Sequence, residues 1–300
     1  MRTVYLGTSE FAADVLRVLA DSPHRPQLVV TRPDRPRGRG RKLASPPVLD
    51  AARGLGIETD QPESVNDEAA GRRIAAAAPD TVIVCAFGAL IREPLLSDHP
   101  ILNVHPSLLP RWRGAAPIER AIMAGDDRTG VSIMRLTAGL DSGPVCLAAE
   151  EPIAGDDTYG SLAARLASLG GRLLVEALDT APPFHEQEEA GVTYAEKITA
   201  EDRLLDPRRP AEELGRVVRA LSPHIGAALT GVGGDQFERL GVWEAAARPP
   251  QPGDPPAGEL ALDGPVPVLG CTPGTLALLA VQPAGRRRMA GDAYLRGLRS

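Results

Sequence analysis

The chain has 300 residues, which is more than one average domain and favours two domains. Apolar residues make up 43% of the sequence, enough for a hydrophobic core, and no apolar run approaches the roughly 20 residues that span a bilayer. The net charge of −6 argues against a general nucleic-acid coat, so a contact with RNA would have to use local basic patches.

The cysteines are few and far apart in the sequence. Cys85, Cys146 and Cys271 show no metal-ligand spacing, so they are interpreted as reduced thiols and no bound metal is expected. The first strand pattern follows Met1 directly, without the long apolar stretch of a signal peptide. We therefore expect a cytoplasmic protein. We also expect the protein to be a monomer.

The first half of the chain alternates strand and helix patterns. A strand is predicted at residues 3–6, and Ser9 can cap the helix that follows. Further strands are predicted at residues 28–31, 81–86, 101–105, 131–136 and 145–150, and further helices at residues 45–55, 115–124 and 158–178. This alternation predicts an α/β domain with a doubly wound, mostly parallel sheet of the Rossmann-like type.

The pattern changes after residue 178. Residues 181–200 are polar and loop-like, and a last clear helix is predicted at residues 211–221. Short strand patterns at residues 237–244 and 275–282, separated by turns and a proline-rich stretch, predict a small β-barrel. We therefore predict one domain at residues 1–180, a connector at 181–206 and a C-terminal domain at 207–300.

A basic segment interrupts the first domain at residues 32–42. It contains one acid, Asp34, and six basic residues: Arg32, Arg35, Arg37, Arg39, Arg41 and Lys42. Its prolines and glycines and the mutual repulsion of its arginines predict no packed element. On charge alone the segment is either a solvated loop or a contact for RNA phosphates, which provide affinity and salt dependence rather than base identity.

The clearest chemical pattern lies at the end of the strand at residues 101–105. Asn103 and His105 are two positions apart, so their side chains share one face of the strand. In open α/β sheets the ligand crevice lies beyond the carboxyl ends of the strands. An amide and a protonated imidazole can stabilise an oxyanion, and histidine can also transfer a proton near neutral pH.

Asp141 is the best candidate for a nearby carboxylate. It lies in a turn flanked by Gly139 and Gly143, which allow the backbone to approach closely. A carboxylate there could accept a proton from an attacking amine and hold the histidine in its charged form. By spacing alone, however, a structural role for each of the three residues stays open, and the pattern indicates only an acid–base site in an α/β enzyme.

Residues 103–118, with the sequence NVHPSLLPRWRGAAPI, closely resemble the folate-dependent formyltransferases, and the downstream TGVSIM and GLDSG motifs are similar too. The resemblance covers nearly the whole chain. It implies that Asn103, His105 and Asp141 form the catalytic triad and that the formyl donor is 10-formyltetrahydrofolate. It further implies folate contacts at Ser107, Leu108, Leu109 and Pro110, and a pteridine-pocket wall at Phe87, Gly88, Ala89 and Leu90.

The resemblance also bears on the formyl acceptor. The opening GTSEFA motif, the basic segment and an OB-fold-like C-terminal domain resemble the branch of the family that formylates methionyl initiator tRNA. This implies tRNA contacts at Arg35, Arg37, Arg39, Arg41 and Lys42, and by the C-terminal domain. The alternatives are a nucleotide amino-sugar N-formyltransferase, which would not need the basic segment, and a catalytically inactive RNA-binding protein, in which a broken triad is expected.

Overall fold

A computed structural model describes residues 1–37, 42–231 and 239–299. The chain forms two compact units. The first comprises Met1–Pro117, Arg128–Pro152 and Ala163–Ala195, and the second comprises Ile118–Asp127, Ile153–Leu162 and Glu196–Ser300. Each unit draws on more than one stretch of chain, and the domain boundaries expected at residues 180 and 206 stay predictions.

The strands of the first unit, in chain order, are β1 (Thr3–Gly7), β2 (Pro26–Val30), β3 (Arg35–Arg37), β4 (Lys42–Ala44), β5 (Glu58–Asp60), β6 (Thr81–Cys85), β7 (Ile101–His105), β8 (Arg113–Gly114), β9 (Arg128–Arg135), β10 (Val145–Pro152) and β11 (Tyr194–Ala195). The strands of the second unit are β12 (Ala227–Leu229), β13 (Leu240–Arg248), β14 (Leu260–Ala261), β15 (Val268–Gly270), β16 (Thr275–Pro283) and β17 (Met289–Ala290).

The helices of the described residues are α1 (Glu10–Ala20), α2 (Pro47–Gly54), α3 (Glu68–Ala76), α4 (Leu95–Asp98), α5 (Pro117–Ala124), α6 (Tyr159–Thr180), α7 (Ala211–Leu221) and α8 (Gly291–Arg299). Within the described ranges, none of them combines the length and apolar character that crossing a bilayer requires.

The first unit is built on a seven-stranded sheet with the order β10-β9-β7-β6-β1-β2-β5. The five strands from β7 to β5 run parallel, and β9 and β10 are antiparallel to their neighbours. The chain passes from β1 to one side through β2 and β5, and then returns to the other side through β6 and β7. This confirms the predicted doubly wound, mostly parallel sheet and places its switch point between β1 and β6.

The sequence explains why these strands occupy the centre of the sheet. Every residue of β1 and of β6 is buried, as expected for apolar strands covered on both faces. The α1 helix begins after Ser9, whose hydroxyl accepts the amide hydrogen of Ala12 at 3.3 Å, so the predicted cap is present. The face of α1 that carries Phe11, Leu16 and Leu19 is buried.

The prediction that the basic segment has no regular structure is wrong at both of its ends. β3 and β4 pair antiparallel, with Arg35 opposite Ala44, Pro36 opposite Leu43 and Arg37 opposite Lys42. A proline is compatible with this ladder because a two-stranded sheet consists only of edges, where an amide donor can be missing.

The second unit holds an antiparallel sheet with the order β12-β13-β16-β15-β14, and β17 pairs with β16. The α7 helix has the bounds predicted from its pattern, and its buried residues Leu214, Val218 and Leu221 belong to the apolar core of this unit. A second helix, α8, follows the strands where only β structure was expected. The antiparallel sheet confirms a β-rich C-terminal part, and closure into an OB-fold-like barrel stays a prediction.

Candidate active site

The candidate site lies at the carboxyl edge of the parallel sheet. β7 lies between β6 and β9, with Asn103 opposite Val84 and His105 opposite Ser132. Asn103 and His105, two positions apart on one face of β7, are both buried. Asp141 follows β9 in a turn and has left-handed backbone geometry with φ = 45°.

The structure brings the three predicted catalytic side chains together. Asn103 Nδ2 donates a hydrogen bond to Asp141 Oδ1 at 3.4 Å. His105 Nδ1 lies 3.7 Å from Asp141 Oδ2, which is longer than a direct hydrogen bond. The Asp141 side chain is 14% exposed, so the carboxylate is mostly shielded from water but is reachable from the surface.

A backbone carbonyl determines which nitrogen of His105 carries the proton. His105 Nε2 lies 2.8 Å from the carbonyl oxygen of Trp112. A carbonyl can only accept, so Nε2 must be the donor in the neutral ring. Nδ1 therefore has a lone pair that faces Asp141, and a proton taken up there would lie beside a negative charge.

The same short stretch of chain also holds the carboxylate. The amide of Gly114 donates to Asp141 Oδ2 at 2.8 Å. Gly114 has φ = 120°, and a Cβ there would lie 2.8 Å from the carbonyl oxygen of Ala195 in the neighbouring strand β11. Only glycine therefore fits this position without displacing β8 from β11.

The predicted folate-binding turn is fixed by serine hydroxyls. Ser107 Oγ donates to the carbonyl of Arg111 at 2.7 Å, and Ser132 Oγ donates to the carbonyl of Ser107 at 2.8 Å. The amide of Leu109 donates in turn to Ser132 Oγ at 3.2 Å. The Leu109–Pro110 peptide is cis. Leu109 and Pro110 border a pocket of about 450 Å³ that also contains Cys146 and the 185–188 stretch.

The predicted pteridine-pocket wall follows β6 at the same edge of the sheet. Thr8 Oγ1 donates to the carbonyl of Phe87 at 2.7 Å, and Arg32 Nη1 donates to the carbonyl of Gly88 at 2.9 Å. Phe87 is buried, whereas the side chain of Leu90 is largely exposed. Phe87, Ala89 and Leu90 line a second pocket of about 280 Å³.

Comparison with known proteins identifies the family. Residues 1–178 match the family described as formyl transferase, and residues 197–299 match the formyl transferase C-terminal domain. The chain belongs to the formyltransferase family. Methionyl-tRNA formyltransferase from Halorhodospira halophila is 44% identical over 306 residues, covering 99% of this chain and 96% of that protein. The protein of the same name from Dechloromonas aromatica is 42% identical over 302 residues, with the same coverage.

Solved structures of other proteins have a similar fold. Methionyl-tRNA formyltransferase from Clostridium thermocellum matches with a TM-score of 0.61 at 14% identity, over 83% of this chain and 94% of that chain. HypX from Aquifex aeolicus in complex with tetrahydrofolic acid matches with a TM-score of 0.68 at 17% identity, over 98% of this chain and 47% of that chain. At such identities the similarity concerns the fold alone.

The structure describes only part of the basic segment at residues 32–42. Arg35 begins β3, and its guanidinium Nη2 lies 3.5 Å from Glu63 Oε2, with both side chains exposed. The backbones of Arg37 and Lys42 form the last pair of the hairpin. Arg39 and Arg41 lie outside the described residues, so their contacts stay a prediction.

Sequence reasoning missed several residues that build the site of this formyltransferase. Gln187, Thr193 and Ala195 lie in the stretch that was predicted to be a connector, yet each contacts the segment at residues 112–116 or the turn that carries Asp141. β11 pairs with β8 over two residues only. Such a short strand has no periodicity, so no sequence pattern identifies it.

Proposed function

We propose that this formyltransferase transfers the formyl group of 10-formyltetrahydrofolate to the α-amino group of methionyl initiator tRNA. The observation that carries the proposal is the meeting of Asn103, His105 and Asp141 at the carboxyl edge of the sheet in a chain 44% identical to a methionyl-tRNA formyltransferase over nearly its whole length. The formylated initiator tRNA then serves in translation initiation.

The three side chains fit the demands of formyl transfer between two nitrogens. The acceptor amine must attack as a neutral group. An α-amine has a reference pKa of about 7.7–8.0, so most of it is protonated near neutral pH and must first give up a proton to a nearby base. As the new carbon–nitrogen bond forms, charge develops on the formyl oxygen, and the Asn103 amide and a protonated His105 are the donors placed to stabilise it.

Proton transfer completes the reaction. The attacking nitrogen loses one proton, and N10 of the folate gains one as its bond to the formyl carbon breaks. A protonated His105 can give its Nδ1 proton to N10 and then take up the proton lost by the amine, because Nε2 is held by the Trp112 carbonyl and Nδ1 faces Asp141. Asp141 stabilises the imidazolium by its charge and can receive the proton of an amine bound beside it.

The folate donor fits the turn at residues 107–110 and the segment at residues 87–90. The hydroxyls of Ser107 and Ser132 fix the first, and Thr8 and Arg32 fix the second. Both follow strands at the edge of the sheet that carries the triad, so together they can position a donor there.

We propose that the arginines at positions 35, 37, 39 and 41, together with Lys42, contact the phosphates of the tRNA, and that the C-terminal domain at residues 207–300 contributes an OB-fold-like surface. A segment with six basic residues in a chain of net charge −6 supports a local nucleic-acid contact. We also propose that the protein acts as a monomer in the cytoplasm, where its free thiols stay reduced.

Formylation of purified charged tRNA tests the proposal. The protein is incubated with 10-formyltetrahydrofolate and methionyl initiator tRNA, and the hydrolysed product is analysed for N-formylmethionine. Methionyl elongator tRNA is the matched acceptor control and is expected to react much more slowly. A nucleotide-linked amino sugar tests the alternative. Transfer to the sugar without transfer to the tRNA would refute the proposed acceptor.

A further inference from the structure

The turn that carries Asp141 needs support from outside itself. Asp141 has φ = 45°, a backbone conformation that residues with a side chain rarely adopt. Strained geometry of this kind persists only where surrounding contacts hold it. The Gly114 amide fixes the carboxylate end of Asp141, so a second contact must fix its backbone.

Gln187 provides that contact with both hydrogens of its amide. Its Nε2 donates to the carbonyl of Asp141 at 2.8 Å and to the carbonyl of Gly143 at 2.7 Å. The two hydrogens of the amide therefore bridge the two ends of the three-residue turn. The remaining amide atom, Oε1, accepts a hydrogen bond from Arg113 Nε at 3.0 Å.

The hydrogen bond from Arg113 connects Gln187 to residues 112–114, which hold the His105 imidazole and the Asp141 carboxylate. Arg113 is buried, with 6% of its surface exposed. It lies between Trp112, whose carbonyl holds His105, and Gly114, whose amide holds the Asp141 carboxylate. Because the Arg113 guanidinium is charged, its hydrogen bond to Gln187 Oε1 is stronger than one between neutral groups. This bond fixes the orientation of the Gln187 amide.

We propose that Gln187 is a positioning residue for formyl transfer, which sets the distance between Asp141 and His105 through its two hydrogen bonds to the Asp141 turn. The inference rests on the proposed function. The proposed role depends on the N–H donors of the Gln187 amide and not only on packing of its side chain. Gln187 is half-buried, and its three described contacts are hydrogen bonds. Loss of the donors lets the carboxylate shift relative to the imidazole, and a misplacement of about 1 Å costs on the order of a hundredfold in rate.

Two substitutions separate positioning from stability. Gln187→Glu keeps the length of the side chain and its acceptor for Arg113, but it replaces both donors with a carboxylate facing two carbonyl oxygens. Gln187→Met keeps the volume and removes both kinds of contact. We expect kcat to fall roughly 10- to 100-fold in both variants, with KM for tRNA nearly unchanged.

The melting temperature distinguishes the two variants. It should stay within a few degrees of the wild type for Gln187→Glu, where the pairing with Arg113 compensates, and fall further for Gln187→Met. Glu189→Gln, an exposed neighbour, is the matched control and should match the wild type in both measurements. Wild-type kcat in Gln187→Glu, or a kcat that merely follows the melting temperature across both variants, would overturn the proposal. If the wild type itself forms no N-formylmethionyl-tRNA, the proposed function fails instead.

Discussion

At the scale of single residues, the site depends on how two backbone groups hold two candidate catalytic side chains, His105 and Asp141. The Trp112 carbonyl accepts from His105 Nε2, and the Gly114 amide donates to Asp141 Oδ2, both at 2.8 Å. The imidazole and the carboxylate are therefore held in a fixed relation by neighbouring peptide groups. A substitution at Asp141 can therefore remove the negative charge and still keep an acceptor for the Gly114 amide.

Asp141→Asn should show that the charge itself is required. The asparagine keeps an oxygen that can accept from Gly114, but no negative charge then faces His105 Nδ1. We expect kcat to fall on the order of 10²- to 10⁴-fold, the range lost when a proton-transfer partner is removed. Single-turnover formylation at saturating substrate measures the rate, and filter binding should give an unchanged Kd for charged tRNA. Asp98→Asn, an exposed change of the same kind in α4, should behave as the wild type. Weaker tRNA binding with normal turnover would contradict this division of roles.

At the scale of secondary-structure elements, the two-residue strands β8 and β11 carry the geometry of the site. Gly114→Ala places a methyl group 2.8 Å from the carbonyl oxygen of Ala195 at a φ of 120°. We expect β8 to move away from β11 and to withdraw its amide from Asp141, so that activity falls at least about tenfold and stability by roughly 1–3 kcal/mol. Gly155→Ala, which has open space at its Cβ, is the control for the composition change. Steady-state kinetics and urea unfolding measure the two effects, and a Gly114→Ala enzyme with normal values would show that this close approach is not required.

The basic segment at residues 32–42 should act through charge. Arg39→Gln combined with Arg41→Gln removes two positive charges from the proposed contact with RNA phosphates. The slope of log K against log salt for charged initiator tRNA should then become shallower by about 1–2, because each lost phosphate contact releases about one counterion fewer. Arg2→Gln combined with Arg53→Gln removes two exposed charges elsewhere as the control. If the slope of log K against log salt is the same in both double variants, the basic segment is not the tRNA contact.

The sequence predicts the elements that have a period and misses those that do not. β7 and α7 have the predicted bounds, because an apolar strand and an amphipathic helix repeat every two and every 3.6 residues. β8 and β11 are two residues long and depend on pairing with each other, so no pattern identifies them. The β3–β4 hairpin was missed because Pro36 argues against a strand, although a proline is tolerated in an isolated ladder.

At the scale of the whole molecule, the first unit alone contains the candidate catalytic residues and the contacts that hold them. Gln187 and Thr193 belong to it although they follow α6 by several residues, where the sequence was predicted to leave the catalytic domain. The strand-end residues Asn103 and His105 were predictable from spacing and resemblance. Hydrogen bonds from a side chain to a distant peptide group, such as those of Gln187, leave no trace in a single sequence.

The second unit contains an ion pair between Arg120 in α5 and Asp202. Arg120 Nη1 and Nη2 each donate to a different oxygen of Asp202 at 2.8 Å, and the amide of Thr199 adds a hydrogen bond to Oδ2 at 2.9 Å. Chiefly through the hydrogen bonds from Arg120, the pKa of Asp202 is lowered to about 2. Because both side chains are mostly buried, this pair should contribute more than a surface ion pair does.

Acid should remove this contribution in a defined range of pH. A carboxyl group whose pKa is lower in the folded than in the unfolded protein stabilises the fold above its unfolded value, near 4, and loses that effect as the pH falls towards 2. Asp202→Asn should therefore lower the free energy of unfolding by about 2 kcal/mol at pH 7, and the difference from the wild type should shrink steadily below pH 4.

Asp206→Asn is the matched control, because the pKa of Asp206 is also lowered to about 2 by Arg208 but the pair is exposed and screened by water. Urea unfolding of the three proteins between pH 7 and pH 3 measures the effect. Equal losses in both variants, or a loss from Asp202→Asn that persists unchanged at pH 3, would show that the Arg120–Asp202 pair does not stabilise this unit through its charge.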